Sequence, residues 1–176
     1  MNNTKINGCC HKPAPIPYDI IIIKQELYHD IDDDTRQLQV IRKLIEVPVS
    51  TDERHRYIID RYIERAINHV QTRLAAYIAT DRPHHIANNH VKGWTERHIF
   101  LAMPTAWPPE NLDHLKDVIH TYVVRITEAE VLSLFIGPND PLVQQYRIDA
   151  QEAENEVVSI ANRRLGPMSV HYAPFG

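Results

Sequence analysis

Val131-Leu132-Ser133-Leu134-Phe135-Ile136-Gly137-Pro138-Asn139-Asp140-Pro141-Leu142 is the stretch on which the fold turns. An apolar run ends on a glycine, which enters restricted backbone conformations at no steric cost, and the prolines that follow forbid continuation of a helix. Asp140-Pro141 then restarts one: the carboxylate suits an N-cap, and proline at the first helical position forfeits no hydrogen bond. Upstream, Leu112, Leu115, Ile119, Tyr122 or Val123, and Ile126 fall at helical spacing and continue through Val131, Leu132 and Phe135. These positions drift around the axis in the second half, so this helix should touch neighbours on more than one side. Downstream, Leu142, Tyr146, Ala153, Val157 and Ile160 line one face, and Gly166-Pro167 closes the helix.

The clearest periodicity lies earlier in the chain. Ile58 or Ile59, Tyr62 and Ile63, Ala66 and Ile67, Val70, Leu74, Tyr77 and Ile78 predict a helix of about seven turns, opened by a capping box of Ser50 and Glu53. Before it, Ile20, Ile23, Leu27 and Ile31 are helically spaced and Lys24-Gln25-Glu26-Leu27 are good helix formers, so a helix is expected from Asp19. The β-branched Ile20–Ile23 leaves a strand as the alternative for those four residues. Asp32, Asp33 and Asp34 suit the N-terminus of a second helix with Leu38, Ile41, Leu44 and Ile45 on its apolar face and Pro48 as its stop. Thr80 to Gly93 is a polar, histidine-rich loop, whereas Trp94 to Met103 fits either a short helix or a strand through Ile99-Phe100-Leu101. The expected fold is all-α: a small bundle of about four to five helices over residues 19–166, between an extended N-terminal arm (1–18) and a C-terminal docking arm (167–176).

A chain of 176 residues suffices for one domain with a real core. The net charge of -4, with mixed signs, argues against a dedicated nucleic-acid binder, which carries a basic excess to neutralise phosphates. Five glycines make a glycine-rich nucleotide loop improbable. The two cysteines are the adjacent pair Cys9-Cys10, too few and too poorly spaced for a disulfide framework or a four-ligand zinc site, which makes a reducing compartment the default. Neither a signal-peptide core nor a bilayer-length apolar run is present, so the expected setting is the cytosol or an assembly formed there, without a membrane.

Eleven histidines invite a metal hypothesis. Its sharpest form is His114, Asp117 and His120, yet six residues rotate about 600 degrees along a helix, so the outer two superpose poorly. His84, His85 and His90 share the polar loop with no nucleophile or orienting acid near them in sequence. His29-Asp30 with the acids that follow has the His-Asp pair of helical metal-dependent phosphohydrolases, but the only upstream histidine is His11, in the proline-rich arm. Adjacent cysteines such as Cys9-Cys10 seldom ligate one ion well. No catalytic residue, metal ligand or cofactor is therefore assigned, and no enzyme is expected.

The helix Arg61-Tyr62-Ile63-Glu64-Arg65-Ala66-Ile67-Asn68-His69-Val70-Gln71-Thr72-Arg73-Leu74-Ala75-Ala76-Tyr77 resembles the first long helix of tailed-phage head-tail connectors, especially those of Mu-like phages. Leu112-Asp113-His114-Leu115-Lys116-Asp117-Val118-Ile119, the Tyr146-Arg147, Ala150 and Ala153 pattern, and Ile160-Ala161-Asn162-Arg163-Arg164-Leu165-Gly166 look like the late helix pair of that family. The similarity is one of pattern and order and covers roughly residues 50–166; the N-terminal extension through about Ile45 and the Thr80–Gly93 insertion depart from it. The resemblance implies a structural virion protein of the phage neck, assembled in the bacterial host cytoplasm. It would form a ring of identical subunits between the portal protein and the next neck or tail protein, extending the channel and touching its DNA non-specifically. In such a ring the nearly uncharged tail would dock on a neighbour through Val170, Tyr172 and Phe175, by strand addition or by filling a pocket. The alternatives are a cytosolic helical metal-binding protein or enzyme using the histidines, and a helical adaptor for one protein partner.

Overall fold

The computed structural model describes residues 14–43, 48–79 and 95–164. Its first element is a strand, β1 (Ile16–Ile23), where Ile20 and Ile22 are buried while Ile21 and Ile23 are exposed, the two-residue alternation of a pleated strand. The chain passes directly into helix α1 (Lys24–Arg42). The helix expected from Asp19 thus begins at Lys24, and Ile20–Ile23 adopts the strand alternative. β1 pairs antiparallel with β2 (Glu96–Met103), in a register that sets Ile20 opposite Ile99 and Tyr18 opposite Leu101 on the core face. The all-α expectation is corrected accordingly: the described chain is mostly helical, with four α-helices and one two-stranded sheet. The partner that makes β1 a strand lies far off in sequence, beyond the reach of local periodicity. β1 also begins inside the expected arm 1–18.

Asp32, Asp33 and Asp34 do not open a helix; they lie within α1, which ends at Arg42, with Lys43 in the left-handed conformation at φ 52°. Leu38 is buried as expected, whereas Ile41 is 73% exposed; Leu44 and Ile45 lie outside the described residues. Helix α2 (Glu53–Arg73) is capped by Asp52, whose carboxylate accepts from the Arg54 and His55 amides at 2.9 and 3.2 Å. The expected cap, Ser50, is engaged elsewhere, by Asp32. After α2 a 3-10 turn, Ala75–Tyr77, leads to Ile78, which bridges to Leu101, and the Ala79 amide donates to Phe100 O at 2.9 Å, covering part of the β2 edge.

Helix α3 (Asn111–Ile136) runs through the middle of the molecule. Tyr122, Val123 and Val124 are buried in succession, as are Thr127, Glu128 and Ala129, so buried positions lie on every side of its axis there, and it packs on α1, α2 and α4. That is the wandering apolar stripe expressed as structure. Gly137 stops it and Asp140 restarts the chain as α4 (Pro141–Asn162), its carboxylate accepting from the Leu142 amide at 2.8 Å with Pro141 in the first turn. α4 ends at Asn162 with Arg163 extended, ahead of the Gly166-Pro167 stop, which lies outside the described residues. Between β2 and α3, the fully buried Trp107 meets Tyr18 edge-on at 5.3 Å and donates its indole N–H to Ile160 O at 3.0 Å, tying the sheet to the end of α4.

Candidate functional site

The acidic run that looked like a helix cap is a seam between helices. Asp30 and Asp34, one turn apart on α1, face His120 and Arg125 on α3 at 2.7 and 2.6 Å. Asp32, 6% exposed, accepts from the Ser50 amide and hydroxyl, both at 2.7 Å, and so pins the segment leading into α2 against α1. Asp30, Asp33 and Asp34 line a polar crevice of about 330 Å³ with His120, Thr121 and Arg125. Arg125 also donates to Glu128 at 2.9 Å and lies 5.2 Å over the Tyr146 ring, so it joins α1, α3 and α4.

Glu128 is fully buried, and one of its oxygens, Oε1, has no hydrogen-bond partner among the described residues. One guanidinium faces two carboxylates here, and only Asp34 keeps contact with water. Burial pushes the Glu128 carboxyl up to about 8; Arg125 pulls it down without cancelling that, and the neighbouring Asp34 raises it further. The same surroundings, burial first and then the Glu128 and Asp34 charges, raise the Tyr146 phenol to about 12. Glu128 does not line the crevice. Its proton is enclosed, which suits a structural carboxylic acid better than an acid–base catalyst that must reach a substrate.

A second polar cluster lies where β1 meets α1. Lys24, 3% exposed, reaches Asp60 at 2.8 Å and Glu64 at 2.6 Å on α2; Tyr28 donates to Asp60 at 2.8 Å, and Arg97 on β2 approaches Glu64 at 3.2 Å. Burial, and then Asp60, push the Tyr28 phenol up to about 12. The cluster borders a cleft of about 470 Å³, with Arg36, Arg56 and Ser50 on its wall. It satisfies a buried ammonium with two acids, an arrangement that fixes how β1, α1 and α2 meet.

The histidines singled out from sequence do not converge. His114 faces Glu156 on α4 at 3.0 Å, whereas His120 faces Asp30 on α1. His29 is exposed and lies 3.6 Å from Asp33. Among the described residues no group of three or more His, Cys, Asp or Glu could hold a metal ion. Cys9, Cys10, His11, His84, His85 and His90, and the docking residues Val170, Tyr172 and Phe175, lie outside the described residues.

The exposed large apolar side chains are not scattered. α1 and α3 run parallel, as Asp30–His120 and Asp34–Arg125 show, while α2 and α4 run against α3, as His55–Phe135 and Arg147–Glu130 show. The ends of α1 and α3 therefore share one end of the bundle with the starts of α2 and α4. Val40 (80% exposed), Ile41, Tyr57 (67%), Leu134 (57%), Phe135 and Ile148 all belong to that half. Among the described residues Ile16, Ile21 and Ile23 are the others, on β1 at the opposite end. Sequence reasoning names Ile41 and Phe135 only as members of apolar stripes and passes over Tyr57 and Leu134, which flank theirs; for Ile21 and Ile23 the strand alternative over Ile20–Ile23 carried the signal.

Fold and surfaces together define a small, mostly helical protein with a two-stranded sheet at one end and exposed apolar side chains at both. No family model, curated protein or solved structure matches the chain.

Proposed function

We propose that this chain is a structural subunit of a tailed-phage head-tail connector, a neck protein that assembles as a ring between portal and tail around the DNA channel. The observation that carries the reading is the concentration of exposed apolar side chains at the two ends of one helical body, Ile21 and Ile23 at one and Val40, Ile41, Tyr57 and Leu134 at the other. A subunit that meets identical neighbours through two different surfaces needs such a pair. The reading also draws support from the order of α2, α3 and α4, which follows the helix order of the connector family it resembles. Its buried polar clusters join elements to one another and fit a rigid building block.

The C-terminal arm is proposed as the element that docks, through Val170, Tyr172 and Phe175. Truncation after Gly166 is expected to leave a folded helical domain by circular dichroism and to abolish capture by a purified portal protein. Portal binding that survives the truncation would sink the arm's role. Electron microscopy of the full chain, alone and with portal, tests the ring: closed rings are expected, and a one-to-one complex with a single partner would favour an adaptor instead.

A further inference from the structure

We propose that the outer face of the β1–β2 sheet of one copy seats on the α2–α3 groove of the next, in a head-to-tail contact. This rests on the ring reading and names its surfaces.

On the sheet, Asp19, Ile21 and Ile23 alternate outward on β1, and the register places Phe100, His98 and Glu96 opposite them. Ile21 is 49% and Ile23 39% exposed, so the centre of this face is apolar. Its charge is acidic: Asp19 and Glu96 share one histidine, His98, at 2.9 and 3.7 Å. On α2, Tyr57, Arg61 and Arg65 recur every four residues and form one exposed stripe. Beside it a groove of about 200 Å³ is lined by Ile58, Arg61, Tyr62, Arg65 and Leu134. Among the described residues neither arginine meets a carboxylate; Arg61 lies 6.0 Å over Tyr57 and Arg65 5.5 Å over Tyr62. Aromatic rings thus hold two guanidinium groups in place with their hydrogen-bonding edges free to pair.

The surfaces match in kind, an apolar centre with acids against an apolar groove with arginines, and opposite charge across such a contact sets register and suppresses wrong pairings. Different, mutually complementary patches give a heterologous contact, which closes into a ring or continues as a filament, whereas a two-fold dimer needs a self-complementary patch.

The test uses full-length chains with Cys9→Ser and Cys10→Ser, one carrying Ile21→Cys and the other Leu134→Cys, distinguishable by mass. On mixing and mild oxidation, the mixed disulfide dimer is expected as the main product. Homodimers of either chain, or no cross-link at high protein concentration, would overturn the contact. Arg61→Glu with Arg65→Glu on the Leu134→Cys chain is expected to weaken cross-linking by about tenfold or more, and Asp19→Lys with Glu96→Lys on the other chain to restore it; loss without rescue would overturn the charge pairing. Protection of the groove by duplex DNA without cross-linking would assign the arginines to nucleic acid and also overturn it. Rings in the microscope without this cross-link would leave the connector reading standing and remove the interface; the cross-link in open filaments would do the reverse.

Discussion

Glu128 concentrates the electrostatic tension of the molecule in one side chain. Its carboxyl, held up to about 8 by burial and then by Asp34, keeps a proton in the folded state that the unfolded chain releases near the ordinary value of 4.5. Between those two values the folded state binds the extra proton, so stability is present in full below the lower value and is lost as pH rises through the upper one. Glu128→Gln keeps the size and a hydrogen-bonding head while removing the titration. The wild type is expected to lose more stability than the variant between about pH 5 and about pH 8, read as the change in urea midpoint at the two pH values. Parallel losses in both proteins would show that Glu128 titrates normally. Sequence could not have singled this residue out: Glu128 sits among Thr127, Ala129 and Glu130 in an ordinary helical run, and only the arrival of α1 over α3 buries it and brings Asp34 to the same guanidinium. The pairing of Asp30 with His120 and of Asp34 with Arg125 likewise joins residues about 90 positions apart and leaves no local pattern.

At the scale of elements, the corner between α3 and α4 was the most legible feature, because glycine and proline act on the backbone locally and need no partner. Gly137 has φ 93° and ψ 149°, a region open essentially to glycine alone. A Cβ added there would meet nothing within 4 Å, so any penalty comes from the backbone itself. Gly137→Ala is therefore expected to destabilise by about 1–3 kcal/mol, against the roughly 0.4–1 kcal/mol of stabilisation that alanine gives at an unstrained site. Gly137→Asn should fare no better, since asparagine tolerates the left-handed helical region and this ψ lies outside it. Thermal denaturation decides the sign, and a stabilised alanine variant would show that the corner relaxes freely. The long periodic helices were equally legible, α2 and α4 with a single buried stripe and α3 with buried positions all round. β1 was not, because four isoleucines in a row satisfy either repeat until β2 supplies the ladder. The helix start expected at Asp32 and the cap expected at Ser50 failed for one reason: the two residues bind each other across a connection, so neither does what its local sequence suggests.

For the molecule as a whole, the way the core divides predicts where it opens. Most buried side chains form one cluster beneath the sheet and along α2, α3 and α4, from Ile20 and Leu27 to Trp107 and Val157. At the far end, Leu38, Ala129, Leu132 and Val143 form a separate small cluster with Ile136, Leu142 and Tyr146 at its margin. Between the two, on the α1 side of α3, lies the polar layer of Asp34, Thr35, Arg125 and Glu128. Four buried apolar residues stabilise their end far less than the main cluster does, at about 1.5–3 kcal/mol for each large side chain enclosed. The same half of the bundle exposes Val40, Ile41 and Leu134 to water. Low local burial marks the segments that open ahead of global unfolding. In the free subunit, amides from about Leu132 to Tyr146 are thus expected to exchange with deuterium through a lower-energy opening than those from Leu115 to Val124, although both stretches are regular helix apart from the corner. If the far end carries a neighbour's sheet in the assembled ring, the gap should narrow there, chiefly around Leu134. Equal protection along all of α3 in the free chain would mean that the polar layer couples the two clusters into one cooperative unit, and that the far end is rigid before any neighbour covers it.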